Sequence, residues 1–312
     1  MATKNASSVK TAYKQIDHHV TEVLSMSGSE VLPAGKAWDK YDWTHQYFGE
    51  KPNEGYFIWV KEQPSCSFLG CVSLDKPGIK QQLNNLTVIE SGLYVDMTGT
   101  CDSATILTDK QVVEGRAHQA KGKLVLRQGA SLYYQHLHDW APSDQVSTNY
   151  EFFLEKGSSL EYTYKVENAA AAMQLRATMH LAEGARSDLK VLADCKNVNF
   201  QMHDTAHLKG AGAQAISTLR IVGRQGAKVI ARSKIVAQAA AKGHLDCGAL
   251  MLNPDAKIKL IPELAVEDQN AELTHEASIG KLSAEQITYL RSRGLTSEQA
   301  EDLILRGFLS EI

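Results

Sequence analysis

The chain has 312 residues, 43% of them hydrophobic and 22% charged, with a net charge of −3, which leaves room for one large or two ordinary globular domains with a buried core. So slight an acidic balance supplies no excess of Lys and Arg to neutralise phosphates and excludes a general nucleic-acid binder. The opening "MATKNASSVKTAYKQIDHH" lacks the apolar run of a signal peptide, and no later window reaches the roughly 18 apolar residues of a membrane span, so a soluble, cytoplasmic protein without membrane contact is expected.

In residues 7–25, Val9, Tyr13, Ile16, Val20, Val23 and Leu24 recur near helical spacing and predict a first amphipathic helix. The aromatic run "AWDKYDWTHQYFG" (37–49) is expected to anchor an irregular segment onto a core, and "GYFIWVKE" (55–62) reads as a strand. From about residue 83 to 267 the texture becomes short β-type runs broken by small turn residues, such as "SLEYTYKV" and "VNFQMHDTAHLKGAG". Similar turn fragments recur around Gly129, Gly157, Gly184, Gly210 and Gly226, evenly spaced except for a shorter last interval. Strand-rich repeats in the range of roughly 20–30 residues predict a solenoid, in which each coil buries its face against its neighbours. A sandwich of hairpins is the rival, but tight Asn-Gly or Asp-Gly hairpin turns are missing between the runs, which favours the β-helix.

The end of the chain reads as two capped helices, roughly 283–293 and 297–306. Ser283-x-x-Gln286 and Thr296-x-x-Gln299 fit the capping box, while Gly294 and Gly307 stand where the helices should stop. Ile287, Leu290, Ala300, Leu303 and Ile304 are their expected apolar faces. Arg291, Arg293 and Arg306 are outnumbered by Glu285, Glu298, Glu301, Asp302 and Glu311, which argues against a nucleic-acid role.

The five cysteines, Cys66, Cys71, Cys101, Cys195 and Cys247, are scattered, and no CxxC pair exists. They make neither a disulfide framework nor a self-sufficient zinc or ferredoxin-type site. His136 and His138 in "HLHDW" share one strand face, a candidate metal pair with no identifiable carboxylate, and are read as surface or packing residues. "HDTAH" (203–207) would be a zinc-like pair on a helix, but the surrounding pattern is that of a strand. His18, His19, Cys66 and Cys71 are read as structural.

The segment "HEASIGKLSAEQITYLRSRGLTSEQAEDLILRGF" (275–308) resembles the C-terminal signature of the SufB/SufD family of iron–sulfur cluster assembly proteins. There a His-Glu or His-Gly pair precedes a Gln-x-x-Tyr-Leu-x-x-Arg-Gly helix and a second helix ending in Gly-Phe. "DCGALMLNPDAKIKLIPELAVED" (246–268) is similar to the family's final coils, whereas the N-terminal segment (1–80) carries no resemblance. The resemblance implies a mainly β fold. A right-handed parallel β-helix core (81–272) would lie between an N-terminal helical or irregular segment (1–80) and a C-terminal helical segment (273–312). It implies a scaffold subunit, not an enzyme, working with SufC, an ABC-type ATPase; this chain has no GxxxxGK[ST] phosphate loop of its own. By the same resemblance Cys247 takes the place of the SufB-type assembly cysteine, and His275 and Glu276 that of its His-Glu pair. These three would hold iron of a transient [4Fe–4S] or [2Fe–2S] cluster at an interface between two β-helix subunits. Tyr289, Arg291, Arg293, Gly294 and Phe308 fall where the family contacts SufC. Cys101 and Cys195 are weaker candidates for passing sulfur along the β-helix.

Thiolate is the ligand iron prefers, and imidazole and carboxylate exchange more readily, which suits a scaffold that must release its cluster to apo iron–sulfur proteins. On a strand, however, His275 and Glu276 point to opposite faces, so joining both to Cys247 requires the strand to end there or a second subunit to contribute. The chain is short for a SufB and lacks an N-terminal cysteine cluster, so a minimal homodimer or a pairing with a SufB/SufD paralogue is expected. A SufD-like adaptor that binds the ATPase but no cluster is the alternative. A carbohydrate-active β-helix would need clustered Asp, Arg and Lys on one face, which the sequence does not offer.

Overall fold

The computed structural model describes residues 9–103 and 115–310. In chain order the first elements are β1 (Val9–Ile16), β2 (His19–Val23), β3 (Ser29–Pro33), α1 (Ala34–Lys40) and α2 (His45–Phe48), then β4 (Tyr56–Val60), β5 (Ser67–Leu74), β6 (Lys80–Ile89) and β7 (Tyr94–Ser103). The regular part continues through β8 (Ala117–Leu126), β9 (Ser131–Asp139), β10 (Gln145–Leu154), β11 (Ser159–Asn168), β12 (Ala172–Leu181) and β13 (Arg186–Lys196). It ends with β14 (Asn199–Leu208), β15 (Gln214–Arg224), β16 (Lys228–Ala237), β17 (Lys242–Met251), β18 (Lys257–Val266) and β19 (Glu272–Lys281), followed by α3 (Ala284–Ser292) and α4 (Ser297–Ser310).

The strands form two sheets. One runs β19-β17-β15-β13-β11-β9-β7-β5-β1-β2, the other β18-β16-β14-β12-β10-β8-β6-β4-β3. From β4 onward every pairing is parallel and joins alternate strands, so each coil contributes one strand to each sheet, as expected of a β-solenoid of about 7 turns. Register partners on successive coils lie 27 residues apart between β12 and β14 and 30 apart between β17 and β19, and the spacing widens to 37 between β6 and β8 and between β7 and β9. Burial alternates along the central strands, as in β12 and β14 (eBeBeBiBiB), because successive side chains face opposite sides of a strand. The inward sets, such as Leu175, Ala177 and Met179 followed by Met202 and Ala206, form one continuous core.

Backbone turns fix the coil corners. Gly129, Gly157, Gly184 and Gly212 have φ of +69°, +67°, +64° and +73° and are linked in a column, with Gly129 N–H donating to Lys156 O, Gly157 to Glu183 O, Gly184 to Ala211 O and Gly212 to Ala240 O. Left-handed backbone at each step explains why glycine recurs. At the fourth step the residue in that conformation is Gly212, not Gly210. Gly226 belongs to a different corner, where Asn197 N–H donates to Gln225 O.

Among the described residues of the stretch 7–25 the expected helix is absent: residues 9–23 form β1, parallel to β5, and β2, antiparallel to β1. Its Val, Ile and Thr residues suit a strand, and Tyr13 (0% exposed) completes the core beside Phe68. Both sheets run on into residues 9–80, so the described part of the expected helical or irregular segment 1–80 is continuous with the solenoid. The aromatic run 37–49 does pack as expected: α1, α2 and the turn between them cover Phe57, Leu86, Val88 and Val125, with Trp43 edge-on to Trp59 at 5.1 Å. At the other end α4 does not stop at Gly307 but continues to Ser310.

Candidate functional site at the open end of the solenoid

Cys247 lies in β17, the last strand of its sheet with a neighbour on both sides. Its in-register partners are Leu219 on β15 and Ala277 on β19. Like Leu245 and Ala249 it points inward, and it is 1% exposed. Burial, reinforced by the carboxylates of Asp204 and Asp246 and opposed by Arg220, pushes its thiol up to about 12. Iron binding there must therefore displace a firmly held proton, since the thiolate is the ligand form.

β19 is the terminal strand, and among the described residues nothing pairs with its outer edge or with that of β18. Strand β19 is accordingly exposed along nearly its whole length. His275 stands opposite Leu245 and so shares the inward parity of Cys247, one strand further on and two positions back. The two are diagonal neighbours; the residue opposite Cys247 is Ala277, so His275 and Cys247 do not stack. Glu276 stands opposite Asp246 on the outer side, with its Oε1 3.7 Å from His244 Nε2. The structure thus places Cys247 and His275 on one side of the sheet and Glu276 on the other.

The outer side is built by the tail. Arg220 donates from Nη1 and Nη2 to Asp246 at 2.9 and 2.7 Å, a bidentate pair. Helix α4 packs on β15, with Arg224 Nη1 3.7 Å from Glu301, and buries Ala300 and Leu305, whereas Leu303 is exposed. A Cβ at Gly248 would lie 3.5 Å from the Phe308 ring, which puts half-buried Phe308 on the back of the strand that carries Cys247. Tyr289, Arg291 and Arg293 are exposed; Tyr289 receives a 3.2 Å hydrogen bond from Arg293, whose guanidinium lies 5.2 Å from its ring centre. Gly294 has φ +97° at the end of α3, and Thr296 and Gln299 satisfy each other's backbone N–H in a complete capping box.

One interior residue escaped notice in the sequence. Asp204, 1% exposed, accepts from Ser217 (3.0 Å) and Ser233 (2.8 Å) through Oδ2, while its Oδ1 has no partner. Burial raises its carboxyl to about 7, and its charge acts on Cys247. Inside "HDTAH" only its inward parity, opposite to His203 and His207, could have flagged it. Those two histidines face outward, His207 stacked on His180 at 5.3 Å. All five cysteines are free; Cys66 packs against Met26, and Cys195 is buried.

Comparison with known proteins gives the family. Residues 73–308 match the SufBD core domain of the SUF system for FeS cluster assembly. An iron–sulfur cluster assembly SufBD family protein of Archaeoglobus fulgidus is 29% identical over 90% of this chain and 79% of its own length. A namesake from Methanothermobacter thermautotrophicus is 25% identical over 90% of this chain and 73% of its own length. Another, from Pyrococcus horikoshii, is 30% identical over 82% of this chain and 57% of its own. The chain belongs to the SufBD family of iron–sulfur cluster assembly proteins.

Proposed function

We infer that the protein is a scaffold subunit on which a nascent iron–sulfur cluster, its cargo, is assembled at the open end of the solenoid between two copies of the chain. The observation that carries this reading is the position of Cys247 and His275: both face inward on the last two strands of a sheet whose outer edge has no partner among the described residues. A long unpaired edge invites another chain. Within one chain Glu276 is on the wrong side of β19 to join Cys247, so a second copy, or a SufB/SufD paralogue, is what completes the set.

Cluster release requires the complex to rearrange, and an ABC-type ATPase of the SufC kind is the partner we assign to that step, in the cytoplasm. The exposed Tyr289, Arg291 and Arg293 offer a docking face, with Gly294 shaping the turn behind them. Phe308, packed behind β17, links that tail to the strand bearing Cys247, so a push on the tail reaches the cysteine directly.

Anaerobic reconstitution with iron and sulfide tests the assignment. Wild type is expected to develop the visible charge-transfer absorption of a cluster and Cys247→Ser to lose it. Full absorption in the variant would falsify the site. A wild type that binds the ATPase but gives no chromophore is instead the SufD-like adaptor.

A further inference from the structure

Five strands along the same sheet from Cys247, roughly 24 Å at the usual strand spacing, the interior holds a second set of donor atoms that the assembly site does not use. Cys101, His136 and His138 are 5%, 2% and 0% exposed, and one donor atom of each lies within 4.8 Å of the other two. Register brings them together: Cys101 on β7 is opposite His138 on β9, and Gly99 opposite His136, all inward by alternation. Cys101 Sγ is 3.3 Å from His136 Nε2.

Two features separate this cluster from ordinary packing. His138 Nε2 is fully buried with no hydrogen-bond partner, and so is Nε2 of His118, an expensive arrangement for polar atoms. Beside His118, Cys101 and His136 is a cavity of about 20 Å³ that His138 does not line, enough for one water-sized occupant. Gly99 keeps part of that space clear, since a Cβ there would meet the Tyr134 hydroxyl at 2.8 Å and the His136 ring at 3.0 Å.

We propose that Cys101, His136 and His138 form a buried site for a borderline-soft divalent metal ion such as Zn²⁺. One thiolate and two imidazoles suit such an ion and not Mg²⁺ or Ca²⁺, which take oxygen ligands. His118 Nε2 is the fourth donor available on the cavity wall. His136 binds through Nε2 while its Nδ1, 3.3 Å from the Tyr162 hydroxyl, is oriented from behind.

His138 has a more particular role. Trp140 Nε1–H donates to its Nδ1 at 3.1 Å, so the ring proton sits on Nε2. Binding through Nε2 moves that proton to Nδ1 and breaks the bond to Trp140. The balance is one proton released from Cys101 Sγ, one relocated within the His138 ring, three donor pairs given to the ion and no change of oxidation state. Loading is therefore reported by Trp140.

The test is an anaerobic titration of the chelator-treated full chain with Co²⁺. One equivalent is expected to bring a thiolate-to-cobalt charge-transfer band, together with a change in tryptophan emission that Trp140→Phe removes without removing the band. Cys101→Ser should abolish the band, and His138→Gln should weaken binding at least about tenfold. In Cys247→Ser the Cys101-dependent band and the tryptophan response should persist, which keeps this site separate from the assembly site. A band that survives Cys101→Ser, or that vanishes with Cys247→Ser, overturns the proposal. Because the site is enclosed, the titration is repeated with Co²⁺ present during refolding from urea; no thiolate band in wild type under both conditions overturns it as well, without relying on any variant to fold.

Discussion

At Asp204 the carboxyl sits inside an apolar coil with two serine hydroxyls on one oxygen and nothing on the other. Burial lifts it from 3.8 to about 7, so the folded protein keeps the proton over a range in which the unfolded chain has already lost it. The stabilising contribution is fully present below pH 3.8 and is lost as the pH rises to about 7. Asn has no such proton to lose. Between about pH 4 and about pH 7.5 the urea-unfolding free energy of Asp204→Asn should move in the variant's favour, relative to wild type, by up to about 4 kcal/mol. An unchanging difference would mean that Asp204 ionises normally in the fold. The same burial governs Cys247, whose thiol at about 12 is expected to resist alkylation at neutral pH in the native protein and to react quickly once urea exposes it. Neither shift is legible in the sequence. An Asp amid "HDTAH" and a Cys in "HLDCGALM" show their parity there, but not how far from water they end up.

Among the elements, the glycine corners were the most legible feature and the β1–β2 hairpin the least. Gly129, Gly157 and Gly184 could be read as turns because left-handed backbone strains any residue with a Cβ. Gly184→Ala should cost about 1–2 kcal/mol and lower the thermal midpoint, even though a Cβ there meets nothing nearer than Gly157 Cα at 4.0 Å; an unchanged midpoint would mean that the corner relaxes. The capping boxes were legible for a similar reason, since each is contained in a single short stretch of sequence. Thr296→Ala removes an acceptor for Gln299 N–H and should cost about 1 kcal/mol, seen as faster amide exchange confined to the first turn of α4. The β1–β2 segment misled because its apolar spacing fits a helix while its β-branched residues fit a strand. Only the waiting edge of β5 decides between them, and that edge comes much later in the chain.

For the whole molecule, the difference between the two ends of the solenoid matters most. At the N-terminal end β2 and β3 are the last strands of their sheets and join them antiparallel, with β2 exposed throughout. At the other end β18 and β19 stop with their outer edges unpaired among the described residues, and Ile279 is 45% exposed on β19. If two copies meet there, Ile279→Lys should shift the protein from dimer to monomer in sedimentation velocity and reduce cluster yield while leaving the far-ultraviolet spectrum intact. A dimer that survives the substitution would move the interface elsewhere. Placing a like charge on an edge strand is the device by which natural sheets refuse partners, which makes the substitution a direct test of that edge.

The coil could be read from the amino acids alone. Alternating burial, glycine-marked corners and a regular repeat are local properties, and each coil needs only its neighbours to satisfy them. The family could be read as well, through a tail whose helix caps and motif residues are contiguous. Register could not, because it emerges only from the packed molecule. That Cys247 faces Ala277, that Glu276 falls on the outer side beside Asp246, and that Cys101 meets His136 and His138 from a separate coil all depend on how one coil is set against the next. A shift of one position would turn every one of these side chains to the other face, and what fixes the register is the combined fit of the whole inward-facing core.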